Sequence, residues 1–387
     1  MTADPPTGVP ATARVDLDAI EANVRRLAAH APTAQLMAVV KADGYGHGLL
    51  PTARSARAGG AEWLGVAQLG EAISLRQNGI GGRLLSWLHV PGTDFGAALT
   101  HDIDISVSSA WALREVAAAA RGTGRTARIH LKVDTGLGRN GAYGNDFADL
   151  VMAARALEAE GVVAVVGVWS HFAYADAPGH PTVRRQQEGF VEAVRQLERA
   201  GGRPEVRHLA NSAATLTNPS SHFDLVRPGI AVYGLSPVPD LRDAAGFGLT
   251  PAMTLTARLA NVKRVPAGQG VSYGHQYTTA TETVLGLVPL GYADGVPRNA
   301  SNVGPVRAHG TLHRVAGRVC MDQFVLDLGP ESTAQSGDEV VLFGRPGDGA
   351  PSAQDWAEAT GTISYEIVTR IGPRVQRMHV GGTGGGA

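Results

Sequence analysis

Lysine is nearly absent from this chain. Lysine and arginine together number 34, yet only Lys41, Lys132 and Lys263 are lysines. Arginine cannot form a Schiff base, because its guanidinium stays protonated. A chain that meets almost every need for a cation with arginine keeps lysine where amine chemistry, or chance, requires it. Cysteine is scarcer still: Cys320 stands alone, so no intrachain disulfide can form and no oxidising compartment is needed. With no identifiable base for it, Cys320 reads as structural. An excess of either charge is also missing. The formal net charge is -1 and the sequence pI near 6.9, and no lysine-rich block or basic amphipathic helix argues for nucleic acid. Apolar runs such as Val162–Trp169 are far too short to span a bilayer. The opening MTADPPTGVP lacks the basic and apolar regions of a signal peptide. A soluble, cytoplasmic protein is expected, with no membrane partner. The histidines show no metal spacing such as H-E-x-x-H, so no catalytic metal is expected.

What is present is a regular rhythm. The 387 residues, 44% of them hydrophobic, can hold more than one core. Val15 and Leu17 read as a short strand, and Asp18 with Glu21 as the N-cap pair of a helix. Apolar strand candidates follow at Leu36–Val40, Trp63–Ala67, Leu84–Leu88, Ile103–Val107, Ile129–Val133, Val162–Trp169, Val206–Leu209 and Phe223–Val226. Helical stretches separate most of them, as at Ala110–Arg121, Phe147–Glu160 and Val183–Ala200. Strands alternating with helices mean βα units and a parallel sheet. About eight units in about 240 residues fit an α/β (β/α)8 TIM-type barrel better than a doubly wound sheet. Pro237–Pro251 is rich in Pro and Gly and reads as a boundary. Beyond it Met253, Leu255, Ala257 and Leu259 alternate with other residues at a period of two. A mostly β C-terminal domain is expected, with strands at Val284–Leu290, Phe324–Leu328 and Val340–Phe343. The expected division is a disordered tail over residues 1–12, the barrel over 13–245, the β domain over 246–380 and a Gly-rich disordered tail over 381–387.

In such a barrel, chemistry sits after the C-terminal ends of the strands. Polar residues fall there. Lys41 and Tyr45 follow the first barrel strand, in VVKADGYGHG; Arg139 follows the fifth, His171 the sixth, Asn211 and Ser212 the seventh, and Arg227 the eighth. An amine at the end of a buried strand is pushed toward its neutral, nucleophilic form. The loops after strands seven and eight are the usual phosphate site of such barrels. Ser212 begins a helix there, and Gly229 and Ile230 offer backbone N–H groups. Gly136, Gly138 and Gly141 match G-x-G-x-x-G after a strand, but Glu158 and Glu160 precede the next strand rather than follow it. A dinucleotide site is therefore rejected, and Arg139 inside that loop suits a carboxylate.

Together these motifs resemble the bacterial alanine racemases from Val15 to about Val380. The resemblance rests on VVKADGYGHG, TGLGRNG, SHFAYAD, ANSAATL, RPGIAVYG, VSYGHQY, GYADG, GRVCMDQ and ISYEIVTRIGPRV. It implies a barrel followed by a β domain, pyridoxal 5'-phosphate as cofactor, and a homodimer with sites shared between chains. It makes Lys41 the cofactor-bearing lysine and one catalytic base, and Tyr273 the other. Tyr45, Ser212, Gly229, Ile230 and Tyr365 would hold the phosphate, with Asn211 beside them. His171 would pack on the pyridine ring and Arg227 would face its nitrogen. Arg139 and the Met321 backbone would hold the substrate carboxylate. Tyr292 and Asp176 resemble residues of the entry path, and Asp322 stands next to Met321. Lys132 matches a lysine that is carbamylated in some relatives, where it orients the arginine. Rival readings are a serine or broad-spectrum racemase, a decarboxylase of basic amino acids and a non-catalytic carrier of the cofactor. A decarboxylase uses an acidic residue where Arg227 stands; a carrier lacks the β domain with Tyr273 and Met321.

Overall fold

The chain opens on strand β1 (Ala11–Asp16), and eight parallel strands follow it in the computed structural model, which describes residues 8–382. They are β2 (Gln35–Val39), β3 (Trp63–Val66), β4 (Arg83–Ser86), β5 (Asp104–Val107), β6 (Ala127–Lys132), β7 (Val163–Trp169), β8 (Val206–His208) and β9 (Leu225–Val226). Each from β2 to β7 pairs with the next, and β9 returns to pair with β2. Between β8 and β9 stands a single bridge, Asn211 to Arg227, supported by Arg227 N donating to Ala210 O at 2.9 Å. The barrel is nearly closed.

The helices between strands follow from apolar spacing. In Pro181–Arg199, residues Val183, Phe190, Val194 and Leu197 bury one face, and proline occupies the first turn where its missing N–H costs nothing. The result is two cores. A large one lies between strands and helices. A smaller one fills the barrel itself, from Met37, Trp63, Leu85, Val166, Val206 and Leu225. Burying a side chain such as Leu85 contributes roughly 1.5–3 kcal/mol. Above this plug the barrel interior opens into a cavity.

The second half contains β10 (Met253–Arg258), β11 (Asn261–Val265), β12 (Gly270–Val271), β13 (Tyr277–Thr278), β14 (Thr283–Val288), β15 (Pro305–Ala308), β16 (Thr311–Arg314), β17 (Phe324–Asp327), β18 (Glu339–Phe343) and β19 (Gln376–Val380). The period of two in β10 is a burial pattern: Met253, Leu255 and Ala257 are buried, and Thr254, Thr256 and Arg258 are half-buried. The main sheet runs β16-β15-β18-β10-β1-β19, with a three-stranded sheet β11-β14-β17 and a hairpin β12-β13 beside it. Two short helices, Ala353–Thr360 and Ser364–Thr369, interrupt the β pattern.

Strand β1 departs from the expected division. It precedes the barrel in sequence but pairs antiparallel with β10 and parallel with β19. Its inward Ala13 and Val15 are fully buried there. Ala11 and Thr12, expected in a disordered tail, are paired strand residues; residues 1–7 and 383–387 lie outside those described. Gly382 N donates to Asp18 Oδ1 at 2.8 Å. The first helix, Leu17–His30, is capped by Asp16 rather than by Asp18, its carboxylate accepting from Ala19 N at 3.0 Å. The cap falls earlier because the helix begins as soon as β1 ends. No helix among the described residues is long and apolar enough to cross a membrane.

Candidate active site

Strand β2 ends in a left-handed turn. Ala42, Asp43, Gly44 and Tyr45 have φ of 55°, 53°, 61° and 52°, and Gly46 follows at 80°. Left-handed helical geometry costs roughly 1–2 kcal/mol per non-glycine residue, so the surroundings must hold it. Gly44 N donates to Val40 O at 2.9 Å and Gly46 N to Ala42 O at 3.0 Å. Glu71 accepts from Ala42 N at 2.6 Å, and Asp43 from Leu49 N at 2.7 Å. The turn places Lys41 and Tyr45 on the wall of one cavity of about 1000 Å³.

Lys132, Arg139, His171, Asn211, Ser212, Arg227, Gly229, Ile230 and Tyr365 line the same cavity. Residues from five barrel strand ends and from the β domain helix Ser364–Thr369 thus converge. Burial lowers the Lys41 amine below its ordinary value, and the Arg139 guanidinium lowers it further, against a smaller upward pull from Glu71. Burial and then the charges of Arg227 and Arg139 bring Lys132 to about 7. Burial raises both Tyr45 and Tyr365. Both stay phenols, able to donate a hydrogen bond.

Arg227 forms the cavity floor. It is 5% exposed, and its guanidinium donates to Ser170 O at 2.7 Å and to Leu209 O at 3.2 Å. Burial lowers it to about 9. Trp169, from the end of β7, packs against both basic groups: Lys132 Nζ is 4.1 Å from its ring centroid and the Arg227 guanidinium carbon 4.8 Å. His171 Nδ1 is 3.5 Å from Arg227 Nη2, and burial with that neighbouring charge keeps its ring well below the ordinary histidine range. A neutral imidazole faces the cavity.

One end of the cavity is built from the start of a short helix and a glycine turn. Asn211 caps the helix Ser212–Thr217. Ser212 Oγ accepts from Gly229 N at 2.8 Å and from Ala231 N at 3.4 Å. A Cβ on Gly229 would stand 2.3 Å from the Tyr45 hydroxyl oxygen, so glycine is what lets that hydroxyl sit there, and the Gly229 N–H expected to be free is already given to Ser212. The glycine loop of Gly136, Gly138 and Gly141 is different. Its N–H groups at 136, 137 and 138 are taken by Asp134 Oδ1 at 2.9, 2.9 and 3.2 Å. The loop folds on its own carboxylate and carries Arg139 to the cavity mouth.

With this geometry fixed, the comparisons are specific. Residues 15–237 match the model of the alanine racemase N-terminal domain, and residues 252–379 that of the alanine racemase C-terminal domain. The chain belongs to the alanine racemase family. The alanine racemase of Frankia casuarinae is 61% identical over 367 residues, 95% of each chain. The crystal structure of alanine racemase from D-cycloserine-producing Streptomyces lavendulae is 59% identical, superposes with a TM-score of 0.96, and covers 97% of this chain and 98% of its own. The alanine racemase of Bacillus anthracis with bound L-Ala-P is 36% identical, with a TM-score of 0.89 and coverage of 97% and 96%.

Five residues carried over from the alanine racemases lie outside this cavity within one chain. Tyr273 is 72% exposed and Met321 54%, both on the β domain, and Tyr292 is exposed near them. Asp322 accepts from Arg374 at 2.7 Å, and Arg374 also reaches Asp294 at 3.1 Å. Asp176 is exposed but close enough to Tyr365 to act on its hydroxyl. Sequence reading missed Trp169, His208, His130 and Asp104. Their signal was a polar or bulky side chain on the inward period of an apolar barrel strand. Among the described residues no group of three or more His, Cys, Asp or Glu is placed to hold a metal ion.

Proposed function

We propose that this chain is a pyridoxal phosphate-dependent alanine racemase that interconverts L-alanine and D-alanine by a two-base mechanism and supplies D-alanine for peptidoglycan from the cytoplasm. The carrying observation is a desolvated Lys41 amine facing a cavity whose floor is the buried cation Arg227. The residues fit the cofactor: the protonated Tyr45 and Tyr365 hydroxyls can donate to a phosphate at the Ser212 and Ile230 end of the cavity, and Lys41 suits a carbonyl.

Bound there, pyridoxal phosphate supplies an electron sink for the pair left at Cα when its proton leaves. The chain does the rest. Tyr45, Ser212, Ile230 and Tyr365 would hold the phosphate, with Gly229 giving the Tyr45 hydroxyl its place. Lys41 would anchor the cofactor and move the Cα proton on one face. Arg139 and the Met321 N–H hold the substrate carboxylate and so fix which bond is broken. Tyr273 serves the opposite face. Because Tyr273 and Met321 point outward from their own β domain, a second copy of the chain brings them to the cavity, and the working unit is a homodimer. Lys132 at about 7 is largely neutral above neutral pH. Its amine can then take up carbon dioxide as a carbamate, whose negative charge would orient Arg139. Arg227 would set a cation against the pyridine nitrogen, where most such enzymes set a carboxylate. A fixed cation disfavours protonation there. This weakens the sink, lowers charge at the carbon where transamination would begin, and argues against a decarboxylase.

The test is direct. Purified protein with pyridoxal phosphate is incubated with single L-amino acids, and D-forms are measured by chiral chromatography. D-alanine should appear fastest and D-serine much more slowly. Borohydride reduction and peptide mapping should place the cofactor on Lys41. Cofactor on Lys132 or Lys263, or no D-alanine from cofactor-loaded protein, would overturn the reading.

A further inference from the structure

Below the cavity, a file of buried polar side chains runs down the barrel. Along β6, Arg128, His130 and Lys132 share one face at the two-residue period of a strand. Lys132 lines the cavity, and His130 lies one layer deeper. His208 on β8 and Asp104 at the start of β5 meet it there. His130, His208 and Asp104 are each 0% exposed. Arg227 Nη1 is 3.2 Å from His208 Nδ1. His208 Nε2 is 2.9 Å from His130 Nδ1, and His130 Nε2 is 3.2 Å from Asp104 Oδ2. Asp104 is clamped in turn by Arg83 at 3.0 Å and Arg128 at 2.6 Å.

The fold makes room for this file. A Cβ on Gly167 would lie 2.2 Å from His130 Nδ1, and the β6–β7 register shifts between Ile129 and His130. Gly167 is absent from the residues of positive φ, so glycine is there for space.

The proton positions follow by elimination. A guanidinium only donates and a carboxylate only accepts. His208 Nδ1 must therefore accept from Arg227, leaving its proton on Nε2. That proton goes to His130 Nδ1, and His130 Nε2–H goes to Asp104. Burial pushes the Asp104 carboxyl up, but the hydrogen bond from His130 and the charges of Arg128 and Arg83 outweigh it and hold it below its ordinary value. Burial, then the charge of Arg227, keeps His208 well below the ordinary histidine range. Both ends of the file thus have the charges its direction requires.

We propose that His208, His130 and Asp104 are positioning residues for Arg227, forming a one-way chain of hydrogen bonds that orients its guanidinium and brings it a counter-charge from two rings away. Among the described residues, no carboxylate comes within ion-pair distance of Arg227. A carboxylate in direct contact would neutralise the cation facing the cavity. Two intervening neutral rings keep it cationic while each hydrogen bond polarises the next. The proposal rests on the reading that Arg227 faces the pyridine nitrogen of bound pyridoxal phosphate.

The experiment is nitrogen NMR on holoenzyme carrying labelled histidine and cofactor labelled at its pyridine nitrogen. His208 and His130 should both be neutral, with the proton on Nε2. In His130→Leu, the guanidinium loses its counter-charge and donates more strongly, so the pyridine resonance should move upfield at full cofactor occupancy. A purely space-filling role for His130 predicts no such shift. A proton on Nδ1 of either wild-type ring, or an unmoved pyridine resonance in the loaded variant, overturns the proposal. If His130→Leu does not fold, the wild-type tautomers decide it. If wild-type protein takes up no cofactor, the functional reading fails, and the tautomers measured without cofactor still test the direction of the chain.

Discussion

Tyr45 and Tyr273 belong to one chain, but the fold treats them in opposite ways. Tyr45 is 7% exposed, packed with its ring centroid 4.8 Å from that of Tyr233 and in the wall of the barrel cavity. Tyr273 is 72% exposed, on a short turn of the β domain in which Ser272 and His275 have positive φ. Met321 is exposed on the same domain. The barrel gathers a desolvated, cation-rich cavity and holds it with buried hydrogen bonds. The β domain adds Tyr365 to that cavity and holds Tyr273 and Met321 outward. A buried half can shift proton affinities on its own, because desolvation acts wherever water is excluded. An outward half acquires such an environment only when another surface covers it.

The comparison breaks most sharply at Lys41. Lys41→Ala removes both the covalent anchor and a base from the buried half, and kcat/KM for alanine should fall by about 10⁴-fold or more. Retained racemisation in that variant, assayed with added pyridoxal phosphate, would mean that the barrel half is not the chemical centre. For the exposed half, Tyr273→Phe should cost about 10²–10⁴-fold. Mixing the two variants then tests which chain Tyr273 serves. In a hybrid dimer one site inherits both lesions, and the other pairs intact Lys41 with intact Tyr273, so activity should return. No recovery, with hybrids verified by differently tagged subunits, would show that each chain uses its own tyrosine.

At the cavity floor, Arg227→Glu should lower racemisation by roughly tenfold or more, a barrier change of about 1.4 kcal/mol. Formation of pyruvate should rise relative to racemisation, with a new long-wavelength absorbance band. Normal racemisation without that band would remove the electronic role given to the buried cation.

Lys132 gives a smaller, pH-dependent effect. Its folded value is about 7 against an ordinary 10.5. Above pH 7 the amine loses its proton, so carbamate formation from labelled bicarbonate, read by carbon NMR, should rise through neutrality. The sign for stability is also set. Between the two values the unfolded chain binds the extra proton, so this site favours folding more as pH rises through that window and less as pH falls toward 7. A carbamate signal that rises only above pH 10 would contradict the lowered value.

The mildest prediction concerns the seam between the halves. Asp16 caps the first barrel helix and pairs with Arg345 beyond β18. Asp16→Ala should cost about 1 kcal/mol, a fall of about 2 °C in Tm for a chain this long. One shifted transition in calorimetry means that the halves unfold together; two transitions moving separately would divide them.

Sequence alone reached the βα rhythm, the change to a period of two after Pro251, and the loops that carry Lys41, Arg139, His171, Ser212 and Arg227. These are local signals: periodicity, turn residues and the chemistry of a polar group at the end of an apolar strand. It could not place β1 in the β domain sheet, because pairing Ala13 with Leu255 joins residues far apart in sequence. Nor could it find the file from Arg227 to Asp104, in which each strand contributes one ordinary-looking polar residue. Side-chain periodicity says which way a residue points. Only closure of the barrel, which brings β5, β6 and β8 around a common axis, decides what it meets there.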